Sequence, residues 1–231
     1  MVIEKHNGVT VLRDDLLPGG TKSVFLDMIV DPKKHFIVYA SPVYGGMQIA
    51  LAAYCHRVGK QAVIFCAKRN KPHSNSLKAK EAGAIVYQVP HGYLSHCQKS
   101  AKEFSEKNNG QLIKFGGDYP VAIDAIANRM LQVISQLGHE PEEIFCAAGS
   151  GTLLKGIIKG TRTSKITAVQ VGAELTIQQN DRVSIVKHHK PFEYESKYKA
   201  PFPSCANYDL KAWEACMKLK TSDNVLFWNV L

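Results

Sequence analysis

From residue 36 to residue 228, short apolar runs alternate with longer amphipathic stretches. That is the pattern of βα units, which build a mostly parallel sheet covered by helices, and it leaves few other architectures open. It predicts strands over residues 36–40, 61–66, 85–89, 143–146, 166–171 and 225–228, and helices over 45–58, 74–82, 93–107, 120–137, 151–160 and 208–219. Pro120 suits a first helical turn, Gly138 and Gly160 suit C-terminal caps, and Asn207 or Asp209 can cap the last helix. Residues 182–207, rich in His, Lys, Pro and aromatics, read as irregular and as a candidate lid.

The length of 231 residues suits one large domain or two packed lobes. The start Met1-Val2-Ile3-Glu4-Lys5-His6 has no apolar signal region and no apolar run approaches a membrane span, so a cytoplasmic protein is expected. The cysteines Cys55, Cys66, Cys97, Cys146, Cys205 and Cys216 show neither CxxC nor Cys/His spacing, which argues against a zinc site and against a secreted disulfide framework; no metal is expected. Cys205, among polar and proline residues, is the one that stands apart. Lys and Arg number 29 against 20 Asp and Glu, a formal charge of +9. The excess is spread along the chain, as on a solvated cationic surface, and is also compatible with an anionic partner.

Two local motifs carry chemistry. In Ile144-Phe145-Cys146-Ala147-Ala148-Gly149-Ser150-Gly151-Thr152-Leu153-Leu154-Lys155-Gly156, a predicted strand runs into a small-residue turn and then a helix. Glycines admit a ligand close to the backbone, the helix start offers N–H groups to an anion, and Ser150 and Thr152 add hydroxyls; the form is that of a phosphate cradle, although a tight βα connection has the same look. It is neither a P-loop nor GxGxxG. The second motif, Val9-Thr10-Val11-Leu12-Arg13-Asp14-Asp15-Leu16-Leu17-Pro18-Gly19-Gly20-Thr21-Lys22-Ser23, places a lysine after two glycines at a helix entrance. Such a lysine is ordinarily a solvated cap; in an apolar pocket its neutral amine forms a Schiff base with an aldehyde.

Together the motifs resemble a specific family. Arg13-Asp14-Asp15-Leu16 with Gly19-Gly20-Thr21-Lys22 is similar to the cofactor-lysine motif of the 1-aminocyclopropane-1-carboxylate deaminase and D-cysteine desulfhydrase family, where Arg-Asp-Asp precedes Gly-Gly-Asn-Lys. Ala148-Gly149-Ser150-Gly151-Thr152 matches its phosphate loop, one residue short. Phe115-Gly116-Gly117-Asp118-Tyr119 falls where the family has Gly-Gly-Ser-Asn, and residues 40–52 resemble the loop and helix after the small-lobe strand. The resemblance covers residues 9–172 in order. It implies a tryptophan synthase β-like, fold-type II α/β protein, two-lobed, with mostly parallel twisted sheets and helices on both faces. Residues 1–39 and 119–231 would form the larger lobe and 40–118 the smaller. It further implies pyridoxal 5'-phosphate on Lys22, cofactor contacts from Gly149, Ser150, Gly151, Thr152, Gly46 and Gly117, and a homodimer.

The sequence also departs from the family. Where relatives carry Ser, Asn and often His before the small-lobe helix, it has Gly45, Gly46 and Met47; Tyr44 just upstream offers a phenol as a catalytic group, or packs as a core tyrosine. No hydroxyl follows Trp228 to bond the pyridine nitrogen, Asn229 standing there instead, and Phe25 occupies a position that is usually basic. Phe202 replaces an expected loop tyrosine, leaving Tyr119, Ser204 and Tyr208, with Tyr198, as substrate contacts. The implied reaction is a lyase, deaminase, decarboxylase or racemase step on an amino-acid-like amine. Two alternatives stand beside it: an amino-acid group attached to nucleic acid, which the +9 charge and the shortened second half favour, and a catalytically degenerate cofactor or phosphate binder.

Overall fold

The computed structural model describes every residue except His91 and Ala173. In chain order the strands are β1 (Ile3–His6), β2 (Val9–Arg13), β3 (Phe36–Ser41), β4 (Gln61–Ala67), β5 (Ile85–Val89), β6 (Gln111–Leu112), β7 (Glu143–Ala148), β8 (Lys165–Gln170), β9 (Val183–Lys187) and β10 (Val225–Asn229). The helices are α1 (Ser23–Ile29), α2 (Met47–Arg57), α3 (Ser74–Glu81), α4 (Leu94–Lys107), α5 (Pro120–Leu137), α6 (Thr152–Gly160) and α7 (Asp209–Leu219). No described helix is long and apolar enough to cross a membrane.

The chain divides into two compact units, Met1–Val24 with Asp118–Leu231, and Phe25–Gly117. The first holds a six-stranded sheet in the order β1-β2-β10-β7-β8-β9, parallel except for the β1–β2 hairpin. The second holds a four-stranded parallel sheet, β5-β4-β3-β6. β7 and β10 are buried along their whole length, as strands covered on both faces must be, and so read as unbroken apolar runs. Residues 25–39, grouped with the larger lobe by sequence, belong to the smaller one, because β3 pairs with β4 and β6.

In the first unit α5 and α6 lie against each other. A Cβ on Gly156 would sit 2.4 Å from Ile126 Cγ2, and one on Gly160 would sit 2.8 Å from the Ala127 carbonyl oxygen, so these two glycines set how near the helices come. On the other side of the sheet, Trp213 of α7 meets Phe202 and Phe227 edge-on, with ring centroids at 4.9 and 5.1 Å, and the three are buried. Phe202 is therefore a core residue, which explains why the expected loop tyrosine is absent. In the second unit an apolar cluster that includes Val38, Val63, Phe65, Cys97 and Ala101 lies between β3, β4 and α4.

Residues 182–207 are less irregular than the sequence suggests. Val183–Lys187 forms β9, an edge strand whose single neighbour is β8; with one row of partners and half-exposed side chains it lacks the apolar run that marks the buried strands.

The α5–α6 contact yields a test. Gly156→Val forces a branched side chain into Ile126 and lowers stability by about 1–3 kcal/mol in urea unfolding. Adding Ile126→Ala opens the space, so the double variant loses less than the two single losses added together; strict additivity would show that the contact does not set the packing.

Candidate active site

The turn that presents Lys22 is held by a buried carboxylate. Asp14, fully buried where β2 ends, accepts from Thr21 Oγ1 (3.0 Å), Trp228 Nε1 (3.0 Å) and the Arg129 guanidinium through Nε (3.1 Å) and Nη2. Arg13 turns the other way, donating two parallel bonds of 2.9 Å to Asp15 and one of 2.5 Å to Glu4. The Arg-Asp-Asp run is thus a pair of clamps. One grips the first hairpin, and the other grips the residue just before Lys22.

The two glycines complete the turn. Gly20 has φ +72°, and a Cβ there would lie 2.1 Å from the Val230 carbonyl oxygen, the atom that accepts the Thr21 N–H at 3.0 Å. No side chain fits, so the turn lies flush on the end of the last strand.

Lys22 is partly buried, and its burial disfavours the ammonium, holding its pKa below the ordinary lysine value; Asp209 and Cys205 nearby oppose that shift. Asp209 opens α7 and has no exposed surface. Its Oδ2 accepts the Leu231 N–H at 3.0 Å, whereas Oδ1 is buried with no hydrogen-bond partner among the described residues. Burial pushes its pKa up to about 7, against the pull of the Val230 and Leu231 N–H groups and of Lys22. Burial and Asp209 likewise push the Cys205 thiol up to about 11, so it stays protonated at neutral pH.

The turn between β7 and α6 closes this region. Gly151 caps α6 with φ +87°, and a Cβ there would crowd Ile177 Cδ1 at 3.0 Å. Ser150 Oγ and Thr152 Oγ1 are 3.1 Å apart at the helix start, where the first N–H groups have no acceptor within the helix. Tyr208 packs on Gly149, donates its hydroxyl to the Ala147 carbonyl at 3.3 Å and receives the Gly149 N–H, while burial holds its phenol far above the ordinary value. Expected as a substrate contact, Tyr208 has its hydroxyl committed to the backbone of the turn. It joins the start of α7, and with it Asp209, to the Gly149–Thr152 cradle.

Ser204 Oγ donates to Asn229 Oδ1 at 3.0 Å, and Asn229 Nδ2 donates to the Pro203 carbonyl at 2.8 Å. Asn229 therefore has both ends of its amide on this loop, and the acid beside Lys22 is Asp209. Tyr119 caps α5, its carbonyl accepting from Ala122 and Ile123, and Asp118 beside it pairs with Lys155 of α6 at 2.7 Å. Tyr44, Gly46 and Gly117 lie in the second unit. There the Tyr44 ring stands edge-on to His73 at 4.8 Å and against the apolar cluster, and Gly46 caps α2. Gly117 has φ +68° and lies against Phe25 and Met47. The sequence offers Asn207 or Asp209 as the cap of α7, whereas Tyr208 holds that place and Asp209 is the first helical residue; that it is buried beside Lys22 depends on where α7 docks, which no local pattern encodes.

A six-stranded and a four-stranded sheet, both mostly parallel, with a glycine turn leading into α6 and a lysine after the first hairpin, define the tryptophan synthase β-like class of α/β proteins. The chain belongs to the pyridoxal-phosphate dependent enzyme family, whose pattern matches residues 18–219. It is 22% identical over 266 residues to the glycyl-dTMP PLP-dependent decarboxylase of Pseudomonas phage M6, covering 97% of this chain and 95% of that protein. Among solved structures, an ACC deaminase homologue has a TM-score of 0.80 at 16% identity, over 96% of this chain and 83% of that one. A hydrogen sulfide-producing enzyme from Fusobacterium nucleatum has a TM-score of 0.72 at 14% identity, over 99% and 92%. The structural likenesses carry the fold.

The state of Asp209 gives a pH test. Its folded pKa is raised above the unfolded value, so the cost of ionising it is absent below about pH 4, grows as pH rises and is complete above about pH 7. Asp209→Asn removes that cost. The cofactor-free variant is expected to be more stable than the parent at pH 8, by at most about 4 kcal/mol, with the difference vanishing near pH 4. Urea unfolding at several pH values checks this, and a constant difference across the range would mean that Asp209 titrates normally.

Proposed function

We propose that this chain is a pyridoxal-phosphate-dependent decarboxylase acting on an amino-acid group carried by a nucleotide, with Lys22 and Asp209 as its working residues. The residues present fit the cofactor of the family. Asp209 Oδ1 is a buried acceptor lacking a donor, which a protonated pyridine nitrogen supplies. Gly149, Ser150, Gly151 and Thr152 suit the phosphate through the hydroxyls and the N–H groups of the α6 start. Lys22 would hold the aldehyde carbon through an amine whose charged form burial disfavours. When bound, the cofactor supplies a conjugated ring that accepts the electron pair released next to the substrate amine.

The chain's own residues select the bond and manage a proton. Racemisation and deamination require a base to remove a proton from carbon before any proton is returned. Decarboxylation asks for less, because carbon dioxide leaves unaided and one proton is delivered afterwards. The groups around Lys22 suit the shorter list: Asp209, half-ionised near neutrality, Cys205, which stays protonated, and Tyr208, whose hydroxyl is bound to the backbone. In the sequence, Gly45, Gly46 and Met47 stand at the positions where relatives have Ser, Asn and often His. Thr21 positions Lys22, which would take a proton from the incoming substrate ammonium as it is displaced and return it to carbon.

One observation carries the choice of substrate. The phage M6 relative, named for glycyl-dTMP, aligns over nearly the whole of both chains. The formal charge of +9 favours an anionic nucleotide, free or within nucleic acid.

Incubation of the cofactor-loaded protein with carboxyl-labelled glycyl-dTMP is expected to release labelled carbon dioxide and leave the nucleotide-linked amine, with free glycine turned over far more slowly. Lys22→Ala is expected to lose the visible absorbance of lysine-bound cofactor and about 10²–10⁴-fold in rate. Release of ammonia with the carboxyl label retained would refute the decarboxylase assignment.

A further inference from the structure

Where β9 ends, the chain continues into His188-His189, and both imidazoles face the middle of α7. The two rings overlap at 4.3 Å between centroids with their planes 34° apart, and Glu214 of α7 completes the group. The His188 and Glu214 side chains are nearly buried, 5% and 12% exposed, while His189 is exposed. One nitrogen from each histidine and one oxygen of Glu214 all lie within 4.8 Å of one another. This set stands apart from the Lys22 region and takes no part in the chemistry assigned there.

The distance between His188 Nε2 and Glu214 Oε2 is informative. At 3.4 Å it is long for an N–H···O bond, which favours 2.7–3.2 Å. Two ligands each about 2.1 Å from a tetrahedral zinc ion are about 3.4 Å apart. The groups behind the ligands also suit an ion. Ser196 Oγ donates to Glu214 Oε2 at 2.8 Å and Lys218 Nζ to Oε1 at 2.7 Å, so the carboxylate is oriented. His188 Nδ1 accepts the Lys190 N–H at 3.1 Å, which fixes the ring with Nε2 toward Glu214. His189, being exposed, is free to rotate into place, and a water would fill the fourth position.

We propose that His188, His189 and Glu214 form a binding site for a divalent transition-metal ion of the zinc class. The ion joins the end of β9 to α7, the helix that carries Asp209 at its start, and so steadies the segment between them, in which Ser204 and Cys205 lie. Cysteine spacing gives no sign of the site because it uses no cysteine, and Glu214 comes from a separate element, 25 positions after His189.

The test is metal binding by the cofactor-loaded protein after chelator treatment, followed by equilibrium dialysis against zinc and a parallel titration with cobalt read by its visible d–d bands. One tightly held zinc per chain is expected, with cobalt bands of tetrahedral intensity. Glu214→Gln and His189→Ala are each expected to weaken zinc by at least about tenfold. His189 is exposed, so its variant folds in any case. Zinc retention by the parent that is no greater than that of His189→Ala, or cobalt bands of octahedral weakness, would overturn the proposal.

Discussion

A carboxylate without water must find its donors in the protein or be expelled from the fold, and Asp14 is such a group. It takes hydrogen bonds from three separate parts of the first unit: Thr21 in the glycine turn, Trp228 in β10 and Arg129 in α5. Removing any one donor leaves charge uncompensated in the interior, so the three parts hold one another in place. Thr21 and Lys22 are neighbours, and the lysine therefore inherits its position from a bond that it does not make.

The opposite wall depends on α7, a short helix carrying several buried polar groups. Asp209 sits at its start with one oxygen unpartnered, Lys211 is fully buried and donates to the Pro191 carbonyl at 2.7 Å, and Glu214 gathers Ser196, His188 and Lys218. These contacts fasten residues 188–207 to the helix, and Phe202 of the same segment packs on Trp213 in the core. A segment with little regular structure is thus fixed by polar contacts and by apolar packing, which is why its composition reads as a lid and its contacts read as an anchor.

How much was legible in the sequence follows from which forces act locally. Strands β3, β4, β5, β7, β8 and β10 and helices α2 to α7 declare themselves, because burial on one or both faces writes a period into the residues and Pro120 and Gly138 mark ends. β9 is an edge strand with half-exposed side chains; β5 is another, and it was legible from the apolar run Ile85-Val86-Tyr87 rather than from burial. α1 follows directly on a glycine turn and is only Ser23–Ile29, too short to show a period. Lys22 and the Gly149–Thr152 turn were legible because both are built from contiguous residues with backbone requirements that only glycine meets. Asp209 was not, since its significance lies in losing its water, and the residues that exclude the water come from β10, the 203–205 loop and the first turn. The family resemblance pointed instead to the end of the last strand. Asn229 stands there with its amide already committed to Pro203 and Ser204.

The pairing of Lys22 with Asp209 limits the chemistry more than either residue does alone. Burial acts on them in opposite senses on the proton scale, lowering the lysine and raising the acid. Were both in water, the pair would be a fixed ion pair at every physiological pH, and the amine would be neither a nucleophile nor available to carry a proton to carbon. Buried, each charge is disfavoured, and the neutral amine that a Schiff base requires gains weight.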